Sequence, residues 1–222
     1  MARLIFVRHG ESQVSVNRVI GGPRSCIGLS DLGRQQSQRL FERWSGAENF
    51  RPDMVISSAY PRARETAAIV APAFGAAPIE VISEFGEHDP GPQCDGLLYT
   101  DFTAQFGDPD WENDPFGMTF PGGETIAEFQ FRIGTAVRSL VDRLGDGTAV
   151  IFCHGGVVDT ALRQSMRAAG TGVFEIYTVN TSITELLLVK PGRWRVIRYN
   201  DSAHLVGLPV STNHGLSSDE SQ

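Results

Sequence analysis

The chain has 222 residues, with Lys+Arg 19 against Asp+Glu 26, a formal charge of −7, and 41% hydrophobic and 20% charged residues. That length is ample for the core of one large α/β domain, and the composition is that of an ordinary globular protein. A net acidic chain with no Lys/Arg block excludes nucleic acid as the expected partner, and the absence of any apolar run near the ~20 residues of a membrane span excludes a membrane role.

Leu4-Ile5-Phe6-Val7 is a continuous apolar run, the pattern of a strand buried on both faces. Ser30 reads as the N-cap of a helix carrying Leu32, Leu40, Phe41 and Trp44. Met54 to Ile56 forms a second strand, and Pro61 suits the first turn of a helix through about Val70. Ile79 to Ile82 is a weaker third strand. Residues 88–122 form a long, loop-rich segment, of the kind that caps a site. Within 124–144, Ile126, Phe129, Ile133, Val137, Leu140, Val141 and Leu144 recur at helical spacing. Ala149 to Cys153 is a strong fourth strand, followed by a helix from Val157 to Ala169. Ile183 to Val189 and Trp194 to Tyr199 flank Pro191-Gly192, a turn joining two more strands. From about Pro209 the polar, Ser-rich sequence reads as a flexible tail over 209–222.

Strands alternating with helices predict one α/β domain over 1–208: a three-layer α/β/α arrangement with a mostly parallel central sheet and a loop-rich cap insert at 88–122. Three cysteines, Cys26, Cys94 and Cys153, are too few and too widely spaced for a disulfide framework, and the N-terminus lacks a signal peptide's cleavage site. Both features predict a cytoplasmic protein. With no CxxC and no HExxH, a structural zinc has no support in the sequence. Oligomerisation cannot be read from the pattern, so a homo-oligomer stays open.

In such sheets ligands bind at the carboxyl ends of the strands. The first strand ends in Arg8-His9-Gly10-Glu11-Ser12, the second leads to Arg62 and Arg64, and the fourth ends in His154-Gly155-Gly156. Each motif alone reads as a solvated edge or a core histidine. Together, two histidines and two arginines need an anion, since like charges ~4 Å apart repel by ~4 kcal/mol at an effective dielectric of 20. The arginine fork matches phosphate oxygens two at a time.

LIFVRHGES, LSDLGRQQSQ, SSAYPRARETA, PGGET and FCHGG occur in the order found in the histidine phosphatase (phosphoglycerate mutase-like) superfamily, and the chain resembles that family over roughly residues 3–160. The resemblance implies a phosphomonoester hydrolase without metal or cofactor, acting on a small phosphorylated metabolite through a phosphohistidine. By resemblance His9 is the nucleophile, Arg8, Arg62 and His154 are catalytic and hold the phosphoryl oxygens with Gly155, and a carboxylic acid protonates the leaving group. Glu87, with Gly91 four positions on, fits the family's spacing for that acid; Glu84 is the reserve. Arg64 is expected to point away from Arg62 on its helix. His88, His204 and His214 match no motif position.

Ser15 stands where the family often has an asparagine that contacts phosphate, with Asn17 nearby as a substitute, and Gly21-Gly22 replaces a commoner Gln-Gly. The insert carries Asp89, Asp95, Asp101, Asp108, Asp110, Glu112 and Asp114 but no Lys or Arg, together with Tyr99, Phe102, Phe106, Trp111, Phe116 and Phe120. Either these line the site of a monophosphate whose remainder is neutral, cationic or apolar, or they are surface acids over a small satellite core. By resemblance, the mutases hold an anionic acid with basic cap residues, so their absence favours a phosphatase. A phosphoglycerate mutase-type phosphotransferase is the alternative, and a non-catalytic phosphoryl-binding module comes third.

Overall fold

Six strands form one sheet in the order β3-β2-β4-β1-β5-β6. They are β1 (Arg3–Arg8), β2 (Met54–Ser57), β3 (Ile79–Val81), β4 (Thr148–Cys153), β5 (Ile183–Lys190) and β6 (Arg193–Asp201). The first four run parallel to one another, and β5 and β6 add an antiparallel pair at one side. The computed structural model describes residues 1–46, 50–75, 77–108, 110, 113–114, 116–117, 120–171 and 175–211.

Alternate residues of each central strand face opposite layers, which is why these strands read as unbroken apolar runs. Leu4, Phe6, Ile56, Ile151 and Cys153 pack against α6 (Ile126–Leu144) and α7 (Gly155–Met166). Ile5, Val7, Val55, Val150 and Phe152 pack against α2 (Asp31–Ser45) and α3 (Pro61–Val70) on the other face. The three-layer expectation therefore holds. Among the described residues no helix is long and apolar enough to cross a membrane.

Local sequence sets the helix starts. Ser30 Oγ accepts from the Gly33 N–H at 3.0 Å, and Pro61 opens α3. Thr125 and Glu128 form a reciprocal capping box that starts α6. The helix expected from Val157 instead begins at Gly155, because extended His154 serves as its N-cap; it ends at Met166, where Arg167 turns left-handed at φ 55°.

The insert is less loop-like than its composition suggests. It holds α4 (Gly91–Cys94) and α5 (Tyr99–Phe106), after α1 (Gln13–Val16) in the preceding crossover. Phe102 and Phe106, one helical turn apart, are the signal that marks α5. Phe102, Phe120, Cys94 and Ile20 make a satellite core with Tyr99 packed on it, whereas Phe116 is 79% exposed; Trp111 and Glu112 lie outside the described residues. Several of the insert's carboxylates accept from backbone N–H groups, within the insert or in the loop at 22–25. Asp95 accepts from the N–H groups of Gly22 (3.0 Å), Arg24 (2.8 Å) and Ser25 (3.2 Å). Burial would raise its pKa, but these bonds outweigh it and hold the carboxyl below its ordinary value. Asp89, Asp110 and Asp114 likewise accept from Gly91, Asn113 and Phe116. Of the expected tail, Ser211 is described and its hydroxyl donates to the buried Glu11 carboxylate; residues 212–222, His214 among them, lie outside the described set.

Candidate active site

Strand register brings the two histidine motifs together. Arg8 pairs with Cys153 across parallel β1 and β4, and the His9 N–H donates to the Cys153 carbonyl at 2.9 Å. His9 and His154 therefore leave adjacent strands at one level, their rings 5.1 Å apart edge to face. Strand β2 delivers Ser58 beside them, and the first turn of α3 delivers Arg62.

Arg62 is the hub. Its Nε donates to His9 Nε2 at 3.0 Å and lies 3.3 Å from His154 Nδ1. Its Nη1 donates to the Gly21 carbonyl at 3.0 Å, and its guanidinium carbon lies 4.6 Å from the centre of the Tyr60 ring. These bonds fix both tautomers. His9 Nδ1 carries hydrogen and donates to the Gly10 carbonyl at 2.7 Å, leaving Nε2 unprotonated, its electron pair accepting from Arg62 Nε. His154 accepts at Nδ1, so its Nε2–H donates to Ser58 Oγ at 2.8 Å. Thr66 Oγ1 accepts from the Gly10 N–H and donates to the Arg62 carbonyl, tying α3 to the loop after β1.

Burial governs the charges. His9, Arg62 and His154 are all at or below 5% exposure. Burial, with Arg62 and Arg8 alongside, holds His9 well below the ordinary imidazole value; burial, Arg62, His9 and Arg8 do the same to His154. Both rings are neutral at physiological pH. Burial also lowers Arg8, partly offset by the Glu87 carboxylate. Among the described residues neither Arg8 nor Arg62 forms a salt bridge.

Glu87 reaches the same cluster from the loop after β3. Its carboxylate accepts from the Gly156 N–H at 3.2 Å and from the His88 N–H at 3.1 Å. A Cβ at 156 would press on Glu87 Oε1, so glycine there leaves the carboxylate room to sit where it does. Glu84, the reserve, is exposed and accepts from Ser83 Oγ instead, so it is displaced from the site. Arg132 of α6 builds this loop: it donates to the carbonyls of Glu84 (2.7 Å), Gly86 (3.1 Å) and Glu87 (3.2 Å), and grips the Glu124 carboxylate at 2.6 Å. The PGGET segment packs here too. Gly91, at φ 68°, lies against Gly122 so closely that a side chain would strike its carbonyl.

Ser15 Oγ is bonded to Ser12 Oγ, and Asn17 is an exposed helix C-cap, so the Asn17 substitution expected from sequence does not form. Arg64 is exposed and faces Ile27, Glu65 and Val81, away from Arg62 as expected.

Sequence reasoning missed a second layer. The stretch before β5 holds the backbone of the Arg8-His9 pair: Asn180 Nδ2 donates to the His9 carbonyl at 2.9 Å, the Thr181 N–H to the Arg8 carbonyl at 2.8 Å, and Arg8 Nη1 to the Thr178 carbonyl. Thr181 in turn bonds His204 Nε2 at 3.0 Å. Ser58, Arg132, Asn180 and His204 act through backbone or ring partners distant in sequence, and no local pattern marks such roles.

Residues 4–202 match the Histidine phosphatase superfamily (branch 1). The chain belongs to this superfamily. A relative from Arabidopsis thaliana, phosphoglycerate mutase-like protein 4, is 30% identical over 92% of this chain and 87% of its own. Among solved structures of the same fold, a mycobacterial glucosyl-3-phosphoglycerate phosphatase in complex with VO3 aligns with TM-score 0.75 and 23% identity, covering 89% of this chain and 98% of the other. The H9A mutant of a phosphoserine phosphatase from Entamoeba histolytica, in complex with phosphoserine, aligns with TM-score 0.76 and 21% identity over 93% and 100%. Within this fold His9, His154, Arg8 and Arg62 lie together at the carboxyl ends of β1, β2 and β4, with the Glu87 carboxylate on the Gly156 N–H beside them.

Proposed function

We propose that this protein is a phosphomonoester hydrolase that acts, without metal or cofactor, on a small phosphorylated metabolite through a phosphohistidine on His9. One observation carries the reading. The buried Arg62 and the half-buried Arg8 converge with two neutral, buried imidazoles, and among the described residues neither cation has a salt-bridge partner. A buried charge without a partner is costly, and a dianionic phosphoryl group offsets that cost.

The geometry supports a step for each residue. His9 Nε2 attacks phosphorus, a P–N bond forms and the P–O bond to the leaving group breaks. The Nδ1–H bond to Gly10 keeps the ring in the reactive tautomer and stabilises its positive charge as it forms. Arg8, Arg62 and the Gly155 backbone hold the equatorial oxygens, where phosphoryl transfer draws most of its rate, and His154 joins them when a proton on its Nδ1 replaces the bond from Arg62 Nε. Glu87 gives its proton to the leaving oxygen, then takes one from the water that cleaves the P–N bond and releases inorganic phosphate. The Gly156 N–H, two residues after His154, holds the Glu87 carboxyl in position for this exchange.

The Arabidopsis relative's name favours a second reading, a phosphoglycerate mutase-type phosphotransferase. Against it, the insert at 88–122 carries no Lys or Arg to retain a second anion. Arg24, which bonds to the insert, is engaged there with the Pro92 carbonyl and Asp95. The third reading, a binding module, would need one of His9, Arg8, Arg62, His154 or Glu87 missing, and all are present.

The test is phosphate release from a panel of phosphomonoesters with no bisphosphoglycerate added. We expect release in the wild type, a phosphorylated histidine on acid-sparing mass analysis, and loss of both in His9→Ala. Interconversion of 2- and 3-phosphoglycerate in place of release would establish the transferase. Hydrolysis retained by His9→Ala would end the covalent mechanism.

A further inference from the structure

Among the described residues, two buried side-chain atoms at the site have no hydrogen-bond partner: Arg8 Nε and Thr178 Oγ1. Thr178 is 2% exposed. A Cβ built on Gly155 would lie 3.7 Å from each of them, so both flank one spot. That spot falls between His154 and Gly156, whose N–H holds Glu87.

The arrangement dictates what these atoms face. Arg8 Nη1 is committed to the Thr178 carbonyl. This leaves the opposite edge of the guanidinium, Nε with Nη2, as the fork that meets an oxyanion two bonds at a time. An arginine N–H can only donate, so its partner must be an acceptor. The threonine hydroxyl beside it does not accept from Arg8 Nε, which leaves it as a second donor to the same acceptor. Buried donors left unpaired are costly and rare in folded proteins. Two of them at one spot, beside the reacting histidines, mark a ligand oxygen.

We propose that the Thr178 hydroxyl, beside the Nε edge of Arg8, is a direct ligand to an oxygen of the phosphoryl group. This deepens the hydrolase reading and rests on it for the identity of the anion. The backbone and side chain of Thr178 then have separate tasks: its carbonyl orients Arg8, and its hydroxyl touches the same group that Arg8 binds. No strand-end motif contains this residue, because it enters the site from the connection between α7 and β5.

The test uses the full chain and three variants, Thr178→Val, Thr178→Ser and Thr178→Ala. Orthovanadate and inorganic phosphate are the probes, read by equilibrium binding, with thermal melting in anion-free buffer alongside. A hydrogen bond to a charged group predicts about 10–100-fold weaker vanadate binding in Thr178→Val. Thr178→Ser should stay within about threefold of wild type. Thr178→Val should melt in anion-free buffer at or above the wild-type temperature, since an unpaired buried hydroxyl becomes a methyl of the same shape; a structural hydroxyl would give the opposite sign. Thr178→Ala gives the same binding readout with a smaller side chain. Unchanged vanadate affinity in Thr178→Val and Thr178→Ala overturns the assignment, as does weakened binding matched by an equal loss in Thr178→Ser. Should the wild type hydrolyse no phosphomonoester yet bind vanadate through Thr178, the ligand assignment stands and the hydrolase reading fails. Should it hydrolyse while Thr178→Val binds vanadate normally, only this assignment fails.

Discussion

The two halves of the sheet divide the labour unequally. The parallel half, β3-β2-β4-β1, ends in the side chains proposed for the chemistry: Arg8 and His9 after β1, Arg62 after β2, Glu87 after β3 and His154 after β4. The antiparallel half, β5-β6, sends one proposed contact toward the phosphoryl position, the Thr178 hydroxyl, and otherwise braces the site. It supplies the stretch 178–182 and the turn at His204, which grip the Arg8-His9 pair largely by backbone atoms. Parallel strands put all their carboxyl ends on one edge, so several motifs can converge there. An antiparallel pair puts one end of each strand on that edge, and is suited to bracing it. The difference separates residues that meet the ligand from residues that keep them in place.

The largest expected effect that probes this division is at Arg62. Its Nε contacts both imidazoles, so Arg62→Ala should lower kcat/KM by about 10²–10³, the usual cost of one fixed donor to the transition state. Steady-state kinetics on the fastest phosphomonoester checks this, and a value within threefold of wild type would mean the pocket is misdrawn. Asn180→Ala should cost less, on the order of tenfold, and mostly in kcat with KM within threefold. It removes one buried bond to the His9 carbonyl, while the Thr181 N–H still lies 3.4 Å from it, a loss of about 1–1.5 kcal/mol. A loss at Asn180 as large as that at Arg62 would erase the distinction between contact and brace.

The same division explains what the sequence makes legible. The strands β1, β2 and β4 are visible because burial on both faces demands unbroken apolar runs, and their ends carry side chains whose chemistry is unusual in combination. Glu87 needed the family spacing to be preferred over Glu84, since both stand near a short strand; the structure separates them by the Gly156 N–H, which holds the Glu87 carboxylate, while the Glu84 side chain is exposed. The bracing layer is hidden because its bonds run to carbonyl oxygens, which every residue has. Thr181 shows the point. It is β-branched yet sits at φ 56°, a costly conformation held by surrounding contacts, and nothing in its neighbours' identities announces it. The satellite core of the insert was one of two open readings of the same aromatics, and only packing decides between them.

The smallest expected effect concerns pH and the brace. His204 is pushed down to about 4 by burial and the nearby Arg43, against the pull of Asp201. Asp201 itself is held down to about 2, with the paired Arg43 as the main cause. Between pH 6.5 and 4 the unfolded chain therefore binds a proton at this histidine that the folded chain refuses. The penalty is absent above 6.5, grows as pH falls, and is complete below about 4; His9 and His154 add to it with the same sign. The Asp201 contribution is lost only below about 3.8, outside this window. From pH 7.5 to 5 the His204 shift sets a ceiling of about 2 kcal/mol, and about half of that after allowing for its partial exposure. Denaturant unfolding of wild type and His204→Gln at pH 7.5 and pH 5 should thus show the variant losing about 1 kcal/mol less on acidification. Gln keeps a donor for the Thr181 hydroxyl, so its pH 7.5 activity should stay within about threefold. An equal acid loss in both proteins would remove His204 from the account. An activity collapse at pH 7.5 would instead show that this turn of the antiparallel half sets the reacting geometry far more directly than a brace.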